Sequence, residues 1–115
     1  MRLSAMKSEA GEFKTLEGGH KLHLSVQLRD LPPLNQPCVL AIRPEHVAVS
    51  KEMGSGENVL RAIVRQVQFA GATSSLRLDA NGLLVESLML RLDDFSVGDL
   101  CTVVLPPDRI RLLKE

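Results

Sequence analysis

Ser74-Ser75-Leu76-Arg77-Leu78-Asp79-Ala80-Asn81-Gly82-Leu83-Leu84-Val85-Glu86-Ser87-Leu88 is the stretch that decides the fold. Its first half alternates apolar and polar residues with a period of two, the side-chain period of a strand. Asn81-Gly82 then supplies the two residue types that accept positive φ most readily. A type I′ turn needs positive φ at both central positions, so this pair predicts a tight β-hairpin. Leu83 to Leu88 is the return strand.

Working outward towards the N-terminus, Asn58 to Phe69 reads as a long strand whose apolar parity changes partway. Leu60, Ala62 and Val64 share one parity, while Ile63, Val67 and Phe69 share the other. A slip of one residue moves every side chain to the opposite face, so the switch predicts a bulge or strong bend. Gly71 follows and permits the break. Lys51 to Glu57 is a polar loop with two glycines. Val39-Leu40-Ala41-Ile42 is a short apolar run expected to be buried on both faces. Pro44 then drives Arg43 into an extended conformation and opens a single helical turn. Leu31 to Pro37 holds three prolines and reads as a loop. Leu22, Leu24, Val26 and Leu28 alternate with polar residues as a half-buried strand, entered by a hairpin from Glu12 to Glu17 through Gly18-Gly19. The polar stretch up to Ala10 is expected to be flexible. Towards the C-terminus, Phe95 to Asp99 reads as a turn and Leu100 to Leu105 as a strand. Pro106 to Leu113 reads as a turn and a short terminal strand. Seven or eight short strands with no amphipathic helix predict an all-β barrel, and a five-stranded oligonucleotide-binding-type barrel with an added N-terminal hairpin fits the pattern.

Composition then removes several function classes. The 115 residues carry 14 Lys+Arg against 14 Asp+Glu, so no broad electrostatic grip on nucleic acid or an anionic membrane is expected. Three phenylalanines, with no tyrosine or tryptophan, leave almost no stacking platform for bases. No apolar run reaches the ~20 residues that span a bilayer, and the first residues lack an apolar signal-peptide centre. Cys38 and Cys101 sit in separate apolar runs and read as buried thiols.

The chemistry-bearing residues are sparse. His20, His23 and His46 are the only histidines, and no G-x-S-x-G is present, so Ser/His or Cys/His catalysis is not expected. His20 and His23 flank a hairpin start and read as solvent-facing. Three apart on a strand, they lie on opposite faces and cannot share a metal. Gly54-Ser55-Gly56 lacks the Lys-Ser/Thr of a phosphate-binding loop. Asp93-Asp94 beside Arg91 reads as a solvated turn. Arg61, Arg65 and Arg77 read as cross-strand partners for carboxylates. Thr73, Ser74 and Ser75, after Ala70-Gly71-Ala72, offer hydroxyls that could hold an oxyanion, although a tight corner with exposed hydroxyls is the favoured reading.

Val39-Leu40-Ala41-Ile42-Arg43-Pro44-Glu45-His46-Val47 resembles the I-R-P-E-H/D signature of the TOBE domain. That module lies at the C-terminal end of ATP-binding subunits of bacterial ABC importers. Asn58 to Val64, the Phe69-Ala70-Gly71-Ala72-Thr73 corner, Asn81-Gly82, Val97-Gly98-Asp99 and Pro106 to Leu113 resemble further family motifs in the same order. The resemblance covers residues 11–113 as one domain, with 1–10 as a connecting segment. It implies an oligonucleotide-binding-type barrel with a non-catalytic regulatory and dimerisation role, in which Arg43, Pro44, Glu45, Gly71, Gly98 and Asp99 are structural. Arg43 pairs with Glu45 or caps nearby carbonyls in that reading, so that its loss lowers stability. Gly71 supplies either a special conformation or a close approach.

ATP and Mg are expected only in an N-terminal ATPase domain that this sequence lacks. The implied partners are a second ATP-binding subunit, membrane permease subunits reached through that missing domain, and a small-molecule or protein regulator, with no nucleic acid. The implied place is the cytoplasmic side of the inner membrane. The alternative from another class is a small oxyanion-binding module of the molybdate or sulfate type. The S-A-R-N-type motif usual in molybdate-binding relatives is absent here.

Overall fold

The computed structural model of the chain describes residues 1–9, 12–25, 37–90 and 95–113. Its strands, in chain order, are β1 (Arg2–Glu9), β2 (Glu12–Thr15), β3 (Lys21–His23), β4 (Pro37–Ala41), β5 (Ala48–Ser50), β6 (Val59–Ala70), β7 (Thr73–Ala80), β8 (Leu83–Leu90), β9 (Leu100–Val104) and β10 (Arg111–Leu113). Two 3-10 turns, Pro44–His46 and Pro107–Arg109, complete the regular structure, and no α-helix occurs among the described residues. Accordingly, no described helix is long and apolar enough to cross a membrane.

The strands form two antiparallel sheets of five, in the orders β10-β4-β1-β2-β3 and β5-β9-β6-β7-β8. The architecture is all-β, and it includes a curled half-barrel sheet of oligonucleotide-binding-type curvature. The β7–β8 hairpin turns at Asn81 and Gly82, with φ of 51° and 97°, the type I′ requirement read from the sequence. The parity switch is a bulge. Val64 pairs with Leu78 and Gln66 with Arg77, which leaves Arg65 as the extra residue. The first part of β6 pairs with β9 through Ile63↔Leu100, and the part beyond pairs with β7. The bulge therefore marks where one long strand passes from one neighbour to the other.

Some expectations need correction. Residues 2–9 are not a flexible tail: they form the central strand of the first sheet, with Leu3 paired to Leu40 and Ala5 to Cys38 and Thr15. Leu3 and Ala5 are buried, while Arg2 and Ser4, which alternate with them, are exposed. The alternation is that of a strand, but its apolar members are few and one is an alanine, so burial comes only from the flanking strands. The expected N-terminal hairpin is present as β2–β3, with β3 at the edge of the first sheet. The run from Val39 to Ile42 is buried chiefly on one face. Leu40 and Ile42 are buried, whereas Val39 and Ala41 stay half-exposed on the other side. Of the expected loop from Leu31 to Pro37, Pro37 instead begins β4, opposite Met6; the rest of that loop, the apolar positions Val26 and Leu28, and the Arg91, Asp93 and Asp94 cluster lie outside the described residues.

One apolar core joins the two sheets. Leu3, Phe13, Leu22, Leu40, Val64, Leu76, Leu78, Val85, Val103 and Leu105 belong to a single buried cluster. Polar bonds join them as well. Asn58, before β6, bonds to His23 of the first sheet and to Leu105, just after β9. His20 Nε2 lies 2.6 Å from the carbonyl oxygen of Ala80; a carbonyl can only accept, so Nε2 carries the proton. His20 is therefore a tether to the β7–β8 hairpin and not a solvent-facing residue. At the open side of the second sheet, the Ser87 hydroxyl donates to the Val47 carbonyl at 2.8 Å. This bond spans the gap between β8 and the segment entering β5. Both cysteines are free thiols. Burial pushes both thiols up in pKa, and at Cys101 the Asp99 carboxylate adds to the shift.

Candidate functional site

The hydroxyl cluster read from the sequence does not converge. Successive strand residues point to opposite faces. Ser74 is buried at 3% exposure, whereas Ser75 is exposed. Thr73 Oγ1 donates to the Ala70 carbonyl at 2.9 Å and so serves the hairpin turn. Ser74 Oγ, although buried, has no hydrogen-bond partner among the described residues. Gly71 adopts φ of +61°, and a Cβ there would meet nothing within 4 Å. Its requirement is conformational, not one of close approach.

Gly98 and Asp99 form a structural turn. The Gly98 N–H donates to the Val64 carbonyl at 2.8 Å, the Val64 N–H donates to Asp99 O at 3.0 Å, and the Asp99 carboxylate accepts from the Ser96 N–H at 2.8 Å. The turn thus grips β6 next to its bulge. Arg65 and Arg77 face carboxylates, as read from the sequence: Arg65 lies 3.7 Å from Asp79 and Arg77 lies 3.9 Å from Glu86.

The Arg43-Pro44-Glu45-His46 segment leads to a different site. Arg43 is extended, with φ −75° and ψ 138°, and Pro44 opens the first 3-10 turn. The turn closes by His46 N–H to Arg43 O at 2.9 Å and Val47 N–H to Pro44 O at 3.2 Å. Arg43 makes only a loose ion pair with Glu45, at 3.9 Å, with its side chain 80% exposed. Exposed pairs of this kind contribute roughly 0–1 kcal/mol. Arg43→Ala is therefore expected to lower stability by less than about 1 kcal/mol, measured by urea denaturation. A larger loss would restore the structural role read from the sequence.

Arg43 instead borders a cleft of about 460 Å³, into which His46, Arg109 and Arg111 also project. The topology explains the gathering. β10 lies antiparallel to β4, with Arg111 opposite Ala41. Directly opposite residues share a face. Arg43 lies two residues beyond Ala41 and Arg109 two before Arg111, so the same register carries both to one end of the strand pair. On the other side of β4, Arg2 is also paired with Ala41. Arg111 Nη1 donates to the Asp108 carbonyl at 3.1 Å, which holds its guanidinium beside the second 3-10 turn. Ala41, Ile42 and Leu113 supply apolar lining. Among the described residues, no acidic side chain lines the cleft.

Arg109 and Arg111 were not candidate residues on sequence grounds. The signal available was their spacing of two around Ile110, which is buried at 1% exposure; that spacing aims both away from the core. No group of three or more His, Cys, Asp or Glu able to hold a metal is found among the described residues.

Residues 40–113, well over half of the chain, match the sequence profile of the TOBE domain. The chain belongs to the TOBE domain family. Both 3-10 turns of this TOBE domain, and Arg43, His46, Arg109 and Arg111 of the cleft, fall inside the matched region. No curated protein sequence matches the chain. Among solved structures, the TOBE domain is similar to the cytoplasmic molybdate-binding protein ModG in a crystal form with molybdate bound. The TM-score is 0.80 at 17% identity, over 97% of this chain and 94% of that one. At that identity the likeness is one of fold.

Proposed function

We propose that this TOBE domain is a non-catalytic module that binds an oxyanion in the cleft between its two 3-10 turns. The observation that carries the reading is the convergence of Arg43, His46, Arg109 and Arg111 on one cleft, with no acidic lining residue among the described residues. Guanidinium groups offer paired N–H donors that match the oxygens of an oxyanion, and charge-assisted bonds of this type are about twice as strong as neutral ones. The overall charge is zero, so the positive field is local and favours a small ligand over a long polyanion. The likeness to ModG supports the reading by analogy of fold.

Calorimetric titration with molybdate, tungstate, sulfate and phosphate tests it. Saturable binding that is lost in the Arg109→Ala/Arg111→Ala double variant is expected. Absence of binding by all four anions and by pyrophosphate at millimolar concentration would sink the proposal, and binding untouched by the double variant would place the site elsewhere.

The importer setting is a second proposal, and the Arg43-Pro44-Glu45-His46 motif favours it. In that setting the domain regulates an ATP-binding subunit that dimerises and contacts permease subunits on the cytoplasmic side of the inner membrane, while ATP and Mg bind another domain. Ligand occupancy of the cleft would then be the signal passed to the ATPase. A continuous reading frame encoding a P-loop ATPase on the N-terminal side of residue 1 supports this setting. A frame that starts at residue 1 overturns it.

A further inference from the structure

We infer that the cleft is built for an anion with two or more linked tetrahedral groups, a polyphosphate chain, and not for a single tetrahedral oxyanion. The inference rests on the proposed reading of the cleft as an oxyanion site and specifies its ligand class.

The cations stand on two walls. Arg43 and His46 come from the first 3-10 turn, and Arg109 and Arg111 flank the end of the second. The strands that carry them are about 4.8 Å apart, and two residues along a strand cover about 6.6 Å. A chain of linked phosphates can reach both walls at hydrogen-bond distance, whereas one tetrahedral ion seated on one wall leaves the other uncompensated.

Charge points the same way. Three guanidinium groups line the cleft, and among the described residues the one ion pair they make is the loose 3.9 Å contact of Arg43 with Glu45. A divalent oxyanion leaves positive charge unbalanced, and a linked phosphate chain balances it. Size agrees as well. The cleft of about 460 Å³ lies within the roughly 300–1,000 Å³ typical of small-molecule sites. A five-atom oxyanion would leave much of it to water, at about 30 Å³ per molecule.

The remaining lining decides what is not read. Its apolar members include Ala41, Ile42 and Leu113, and none of the lining residues is Phe, Tyr or Trp. The planar groups present, the His46 imidazole and the guanidinium groups, are those assigned to the phosphates, so no separate large aromatic platform is left for a nucleobase. The site therefore recognises the phosphate chain whether it is inorganic or part of a nucleotide.

The test is calorimetry at fixed ionic strength, without divalent cations, using molybdate, orthophosphate, pyrophosphate, tripolyphosphate and ATP. Tripolyphosphate and ATP are expected to bind with similar affinity, and at least about tenfold more tightly than molybdate or orthophosphate. That ratio corresponds to one additional charge-assisted contact set. Arg109→Ala/Arg111→Ala and, separately, Arg43→Ala are each expected to weaken tripolyphosphate by about tenfold or more. The second variant keeps the test decisive should the first not fold.

If molybdate or orthophosphate binds as tightly as tripolyphosphate and depends on the same arginines, the polyphosphate inference is overturned while the oxyanion reading stands. If none of the five anions binds, both fall. If ATP binds about tenfold more tightly than tripolyphosphate, the base is being read and the phosphate-chain inference is wrong.

Discussion

Asn58→Ala is expected to destabilise the protein by about 3–5 kcal/mol, since it strands several buried polar groups at once. Asn58 is 3% exposed and sits just before β6 with φ of 57°. Its Oδ1 accepts from the His23 N–H at 2.7 Å, and its Nδ2 donates to the carbonyls of His23 and Leu105, both at 2.8 Å. Its own carbonyl accepts from the Leu105 N–H at 3.0 Å. One side chain thus satisfies main-chain groups from both sheets. Alanine removes all three side-chain bonds and also occupies a left-handed conformation that costs a residue with a Cβ about 1–2 kcal/mol. Asn58→Gly separates the two effects, since glycine accepts the backbone conformation and lacks only the bonds. It is expected to retain about 1 kcal/mol more than alanine. Urea denaturation with an unchanged m-value gives both numbers. An alanine variant within about 1 kcal/mol of wild type would show that water replaces the side chain at this junction.

Removing residues 1–10 is expected to abolish cooperative folding. β1 lies between β4 and β2 in the first sheet. Without it, β4 keeps only the three-residue β10 as a partner, and β2–β3 is left as an isolated hairpin, which is marginal in water. The deletion also takes Leu3 and Ala5 from the core, where Phe13, Leu22 and Leu40 are fully buried around them. The loss approaches the whole stability of a small domain, about 5–15 kcal/mol. Far-UV circular dichroism and thermal unfolding of the truncated protein test this. A native spectrum with a transition within a few degrees of the intact chain would restore the reading of this segment as a flexible connection.

Much of the fold was legible because it depends on near neighbours. Leu76, Leu78 and Ala80 alternate because a strand alternates. Asn81-Gly82 turns the hairpin because both residues accept positive φ. The bulge at Arg65 showed itself as a change of parity, since a slipped register exchanges the faces. The TOBE signature from Val39 to Val47 was legible for the same reason: proline restrains Arg43 and starts a turn that closes within four residues. The candidate site was much less legible. Thr73, Ser74 and Ser75 looked like a cluster in sequence, yet the strand separates them onto two faces. Arg43 was read as a structural residue because its chain neighbour Glu45 is acidic, but their contact is loose and exposed.

The sequence by itself determined the all-β class, the hairpins, the bulge and the family motif, each of which rests on side-chain period or on the φ preference of one or two residues. Only the tertiary structure decided that residues 2–9 form a central strand, that Asn58 and His20 tie the two sheets together, and that Arg43 and His46 share a cleft with Arg109 and Arg111. Those outcomes depend on which strands pair and in which register. Pairing partners are set by burial of the whole core, and residues more than sixty positions apart in sequence carry no local sign that they will meet.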